Sequence, residues 1–171
     1  MRARVVFESM FGNTQRIAEA IADGLSSRIE AETAEVGDAA TTIDDDIALL
    51  VVGGPTHAFG MSRPSTRRSA AEQAEHGVVS AEVGIREWVA TLERGSSDVA
   101  CATFDTRVDR PRVPGSAAKA AQKRLRRLGF RVLTSAESFY VADTEGPLIA
   151  GELERARRWG HSLAAELVIT G

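Results

Sequence analysis

The chain of 171 residues has one cysteine, Cys101, one tyrosine, Tyr140, and three histidines. A single cysteine excludes an internal disulfide and suits a reducing compartment. No apolar run is long enough to span a bilayer, and the amino end carries no signal-peptide core, so the expectation is a cytoplasmic protein with no membrane partner. Excess positive charge is also missing. The 21 Lys and Arg are outweighed by 24 Asp and Glu, a formal net charge of −3, which argues against a general nucleic-acid binder. His57, His76 and His161 have no companions at metal-ligand spacing, so no metal is expected; His76 and His161 read as exposed. No paired carboxylates or nucleophile triad, no G-x-G-x-x-G and no G-x-x-x-x-G-K-[ST] can be found.

What is present is a regular alternation. Its length fits one domain, residues 1–171. Val5-Val6-Phe7 is a short apolar run of high β-propensity, followed by helical spacing of Ile17, Ala18, Ile21 and Leu25. A second strand is expected at Ala31–Val36 and a third at Ile47–Val52, whose continuous apolar character is that of a strand buried on both faces. A helix with Trp88 as core anchor is expected over Ala81–Glu93, and a fourth strand over Val99–Phe104. A helix over Gly115–Leu128, a fifth strand region from Phe130 through Val141 and a last helix over Gly151–Val168 complete the pattern. Such alternation implies an α/β fold, an open parallel sheet with helices on both faces, whose ligands bind beyond the carboxyl ends of the strands.

The most informative stretch is Val5-Val6-Phe7-Glu8-Ser9-Met10-Phe11-Gly12-Asn13-Thr14, a strand and polar turn leading into a helix that starts at Asn13 or Thr14. Ser, Gly, Asn and Thr are ordinary caps. They also suit an anion site, because the first helical N–H groups lack partners and the helix dipole is positive there. Val5, Val6, Phe7, Ser9, Gly12, Thr14, Ala18 and Ile21 fill the constrained positions of a pattern that resembles the flavodoxin signature.

The resemblance implies a doubly wound, five-stranded parallel sheet of order 2-1-3-4-5 and the cofactor flavin mononucleotide (FMN). Ser9, Met10, Phe11, Gly12, Asn13 and Thr14 would then form its phosphate loop. The loop after the third strand would lie along the isoalloxazine ring and holds Pro55, Thr56, His57, Phe59 and Gly60. Phe59 is the stacking candidate, Thr56 a ligand of phosphate or ribityl chain, and Gly60 a backbone contact to flavin N5. His57 is an acid–base candidate or simply a polar surface residue. The loop after the fourth strand, with Thr103, Phe104, Asp105 and Arg107, would meet the pyrimidine edge. Cys101, inside that strand, reads as a core thiol.

This sequence departs from the flavodoxin pattern in three respects. No Tyr stands in the fourth-strand loop, where Phe104 either substitutes or points into the core. The segment Ser62–Ser80 is a long polar excursion. Arg63, Arg67, Arg68, Arg107, Arg110 and Arg112 fall in segments expected near the site, where flavodoxins are acidic. Positive charge there favours the anionic hydroquinone and a less negative couple. Three functions fit: an electron carrier between redox partner proteins, an NAD(P)H-dependent FMN oxidoreductase acting on quinones or similar acceptors, and a flavin-free binding module on the same fold.

Overall fold

A computed structural model describes residues 1–93, 98–111 and 114–170. Strand β1 (Arg2–Phe7) is the hub. It pairs in parallel with β2 (Glu30–Glu35) on one side and β3 (Ile47–His57) on the other. β3 pairs in parallel with β5 (Ala100–Val108). β5 then pairs in parallel with β6 (Arg131–Val132) and β7 (Glu137–Val141). The fifth position of the expected order is therefore filled by two short strands, and the order 2-1-3-4-5 holds with that division. A two-residue strand not anticipated from the sequence, β4 (Gly60–Met61), folds back antiparallel on β3.

Alternation along the strands sorts the core into two layers. Val5, Phe7, Leu49, Val51, Ala102 and Phe104 face α1 (Asn13–Leu25) and α5 (Glu152–Thr170), where Ile17, Ile21, Leu25, Leu163 and Leu167 meet them. Val6, Leu50, Val52 and Cys101 face α3 (Ile85–Thr91) and α4 (Ala117–Arg127), packing on Ile85, Trp88, Val89, Ala121 and Leu125. Burial pushes the Cys101 thiol up to about 11, which keeps it protonated and inert. β2, with sequence EAETAE, has little β-propensity of its own and is an edge strand held by charge. Glu32 stands opposite Arg4 in the parallel register and accepts from its Nε at 2.6 Å. Among the described residues no helix is long and apolar enough to cross a membrane.

The Ser62–Ser80 excursion is not a loose loop. It contains α2 (Pro64–Gln73), and its far end returns to the turn after β1. There Val79 N–H donates to Met10 O (3.0 Å), Ser80 N–H to Ser9 O (2.7 Å), and Ser80 Oγ accepts from Ser9 N–H (3.0 Å).

Candidate functional site

At the carboxyl ends of β1, β3 and β5 the turn Glu8–Gly12 delivers the chain into α1. Gly12 is the N-cap, at φ +88°, a left-handed conformation that costs glycine nothing and other residues one or more kcal/mol. Ser9 is fully buried, and its Oγ accepts the Gly12 N–H at 3.1 Å, shaping the turn from within. No side chain caps α1 and no acidic residue lies in its first turn. Among the described residues the N–H groups of Asn13, Thr14 and Gln15 have no acceptor, so the positive end of a four-turn helix faces the cleft. Thr14 Oγ1 lies 2.7 Å from Thr106 Oγ1 on β5, and Asn13 Nδ2 donates to Glu145 O at 3.1 Å.

The start of α4 is the opposite case. Asp105 is fully buried, and its Oδ2 accepts from Ser116 Oγ (2.6 Å), Thr56 Oγ1 (2.9 Å) and Ala118 N–H (3.1 Å). Thr56 Oγ1 accepts the Ala117 N–H at 3.0 Å, and Ser116 Oγ that of Lys119 at 3.2 Å. The chain thus fills the positive end of α4 with its own carboxylate and leaves that of α1 open.

Between these helix ends the β3–β4 hairpin projects. His57 pairs with Gly60 across a two-residue turn, Ala58-Phe59, with φ of +42° and +73°. Both central residues are left-handed, as a type I′ turn demands, where Asn-Gly would be the relaxed choice. Non-glycine residues held there cost of order 1–3 kcal/mol each, and such strain gathers at ligand sites. The result is an aromatic ring, Phe59, that is 62% exposed. Gly115 braces the turn from behind, since a Cβ there would fall 1.8 Å from Phe59 O. Arg107 Nη1 in turn donates to Gly115 O at 2.9 Å.

Met10, Phe11, Asn13 and Thr14 meet Pro55, Thr56 and His57, and Thr106 and Arg107, around a cleft of about 100 Å³. A larger cavity of about 590 Å³, lined by Asp44–Ala48, lies at the amino ends of the strands, away from the edge where such sheets bind ligands. On the outer side of the hairpin, His57, Phe59, Thr66, Arg63 and Arg86 line a second cavity of about 360 Å³. His57 is half-buried, with Nδ1 3.3 Å from Thr66 Oγ1. Burial and the charge of Arg67 hold its imidazole below the ordinary value, so it is neutral near pH 7.

A model of the family described as Flavodoxin matches residues 5–83. An archaeal flavodoxin superposes with a TM-score of 0.63 over 98% of this chain and 99% of that one, at 21% identity. Flavodoxin 1 from Bacillus cereus gives 0.66 over 99% and 98%, at 17% identity. The chain has a flavodoxin-like fold. The flavodiiron protein from Giardia intestinalis contains the same fold in a longer chain, at a TM-score of 0.60, 20% identity and coverage of 98% and 36%. At these identities the structures share the fold. No curated protein matches the sequence.

Several site residues stand differently in this flavodoxin-like chain from what the sequence leads one to expect. Gly53–His57 extend β3, and Thr103–Arg107 lie within β5 rather than in a loop after it. Thr103 and Phe104 are fully buried. The Phe104 ring covers Gly53, where a Cβ would lie 2.1 Å from the ring, and it meets Phe139 and Trp159 edge-on at centroid distances of 6.2 and 6.4 Å. It belongs to the core and does not substitute for a stacking tyrosine. The Thr56 hydroxyl is engaged by Asp105 and Ala117, and Asp105 by α4. Gly60 is a β4 residue paired to His57. Arg67 points inward, 2% exposed; Arg110 is exposed, 3.9 Å from Asp143; Arg112 lies outside the described residues. Arg86, which no motif marked, is a cavity residue whose guanidinium is fixed by Ser62 O (3.0 Å) and Met61 O (2.8 Å).

Proposed function

We propose that this flavodoxin-like chain binds FMN and carries electrons between a reductase and an acceptor protein of the cytoplasm. The observation that carries the reading is the open amino end of α1, beside the closed one of α4. The Asn13, Thr14 and Gln15 N–H groups and the Thr14 hydroxyl suit a phosphate dianion without any Lys or Arg. Phe59 would stack on the ring, and Arg107, at the cleft wall, would lie near its pyrimidine edge. When bound, FMN supplies the one- and two-electron chemistry; the chain holds it, orients it and sets its surroundings. Titrating apoprotein with FMN, riboflavin and FAD while following flavin fluorescence tests this. FMN should bind tightly and riboflavin at least tenfold more weakly; no binding of any flavin overturns the proposal.

A second reading, an NAD(P)H-dependent oxidoreductase acting on quinones or similar acceptors, draws on the Arg63–Arg86 cavity beside Phe59. Burial and the nearby charges of Arg124 and Arg63 hold the Arg86 guanidinium below its ordinary value, and none of the three arginines is in a salt bridge among the described residues. Such a positive recess suits a nucleotide phosphate. Oxidation of NADPH by the FMN-loaded protein alone would favour this reading, and dependence on a separate reductase the first.

A further inference from the structure

We propose that Thr106 is a positioning residue for the cofactor phosphate, acting through Thr14; this rests on the reading of the α1 terminus as an FMN phosphate site. Thr106 is 5% exposed and Thr14 2%, and their hydroxyl oxygens are 2.7 Å apart at the wall of the cleft. They come from distant parts of the chain. Thr14 opens α1, whereas Thr106 is held in β5 by pairing with Pro55 on one side and Phe139 on the other. The strand ladder therefore fixes the backbone that carries the Thr106 hydroxyl.

Hydroxyl stoichiometry gives the contact its function. Each threonine has one O–H to donate and two lone pairs. Thr14 stands in the first turn, where the backbone N–H groups point at the anion, and its single proton has two possible destinations, Thr106 Oγ1 or the phosphate. If Thr106 donates to Thr14 Oγ1, the Thr14 proton is left for the phosphate, and the chain Thr106 O–H to Thr14 O–H to phosphate polarises in one direction. No Lys or Arg lies in the loop Ser9–Thr14, so the site relies on neutral donors, and the orientation of this one matters more than it would beside a fixed cation. Each hydroxyl has the other as a hydrogen-bond partner, so neither oxygen is orphaned although both residues are almost fully buried.

Thr106→Val keeps the branched shape that suits a strand and removes only the hydroxyl. FMN affinity should fall about three- to tenfold, the scale of one hydrogen bond, and riboflavin affinity should not change. Thr106→Ser should recover FMN binding. The double variant Thr14→Val/Thr106→Val should bind FMN no more weakly than Thr14→Val alone, because Thr106 acts only through Thr14. An equal loss for FMN and riboflavin, or additive losses in the double variant, would overturn the inference while leaving FMN binding intact. Failure of the unmodified protein to bind FMN overturns the phosphate-site reading and this inference with it.

Discussion

Phe59 is held in the left-handed region with its ring in solvent, a conformation that neither the backbone nor the apolar core rewards. Glycine at this position would relieve backbone strain and lose little buried area. Phe59→Gly should therefore raise the stability of the apoprotein by up to about 1 kcal/mol, read from urea unfolding, and weaken FMN binding roughly tenfold through loss of stacking. Opposite signs in the two measurements mark a residue kept for a ligand; parallel losses would make it structural. Glu8 presents a different residue-scale conflict. It is 1% exposed, accepting from Ser62 Oγ and, at 2.8 Å, from Ile85 N–H, and burial pushes its carboxyl above the ordinary value of 4.5. A raised acid is a penalty on the charged form. Its favourable contribution is complete below about pH 4.5 and is lost as pH rises through the raised value. The stability of Glu8→Gln relative to the unmodified protein should thus improve from pH 4.5 to pH 8, a trend checked by urea unfolding at both ends.

Among the elements, α2 and the segment after it bind the β1–α1 turn to the rest of the molecule. Arg67 reaches inward from α2, donating from Nη1 to Ser62 Oγ (2.8 Å) and from Nη2 to Glu87 Oε1 (3.1 Å) and Glu82 O (3.2 Å). Although burial pushes the Glu87 carboxyl up, the Arg67 hydrogen bond and charge outweigh it and hold that group below its usual range. Buried Glu8, Ser62 and Arg67, with the half-buried Glu87, tie the end of β1 to α2 and α3. Arg67→Leu leaves Glu8 in the interior without a compensating cation and should cost about 3–5 kcal/mol near neutral pH, less in acid where Glu8 takes a proton. At the other end of the segment, Ser80 Oγ accepts from Ser9 N–H and donates to Glu35. Ser80→Ala should loosen the turn and cost about 1–3 kcal/mol, the penalty of an unsatisfied buried N–H. Faster amide exchange at Ser9 and Gly12 would show it.

For the whole molecule, net charge and site charge have opposite signs. The chain is −3 overall, yet Arg63, Arg86 and Arg107 stand around the hairpin and cleft. A field of this sign stabilises a reduced, anionic flavin, so the hydroquinone couple of the FMN-loaded protein should be less negative than in acidic flavodoxins, and Arg107→Glu should lower it. A redox titration of both proteins checks this; a very low potential unchanged by the substitution would refute it.

Much of this arrangement is legible in the sequence because its causes are local. The apolar run at Val5–Phe7, the Gly12-Asn13-Thr14 helix start and the helical spacing of Ile17, Ile21 and Leu25 each depend on neighbours a few positions away. They carried the α/β alternation and the flavodoxin-like resemblance. Where strands end is not local. β5 runs on to Val108 because β7 pairs with Phe104–Val108, and β3 runs on to His57 because β4 folds back on it. The direction of a side chain is not local either. Phe104 turns into the core because Gly53 opposite it has no side chain, and Arg67 turns inward because Glu8 lies buried beneath it. Sequence alone thus determined the main strand–helix alternation and the start of the helix whose open end is proposed to hold an anion. Only the tertiary structure decided which residues face that opening, because the partners that set pairing and direction, such as Thr14 and Thr106, meet across 92 positions of chain.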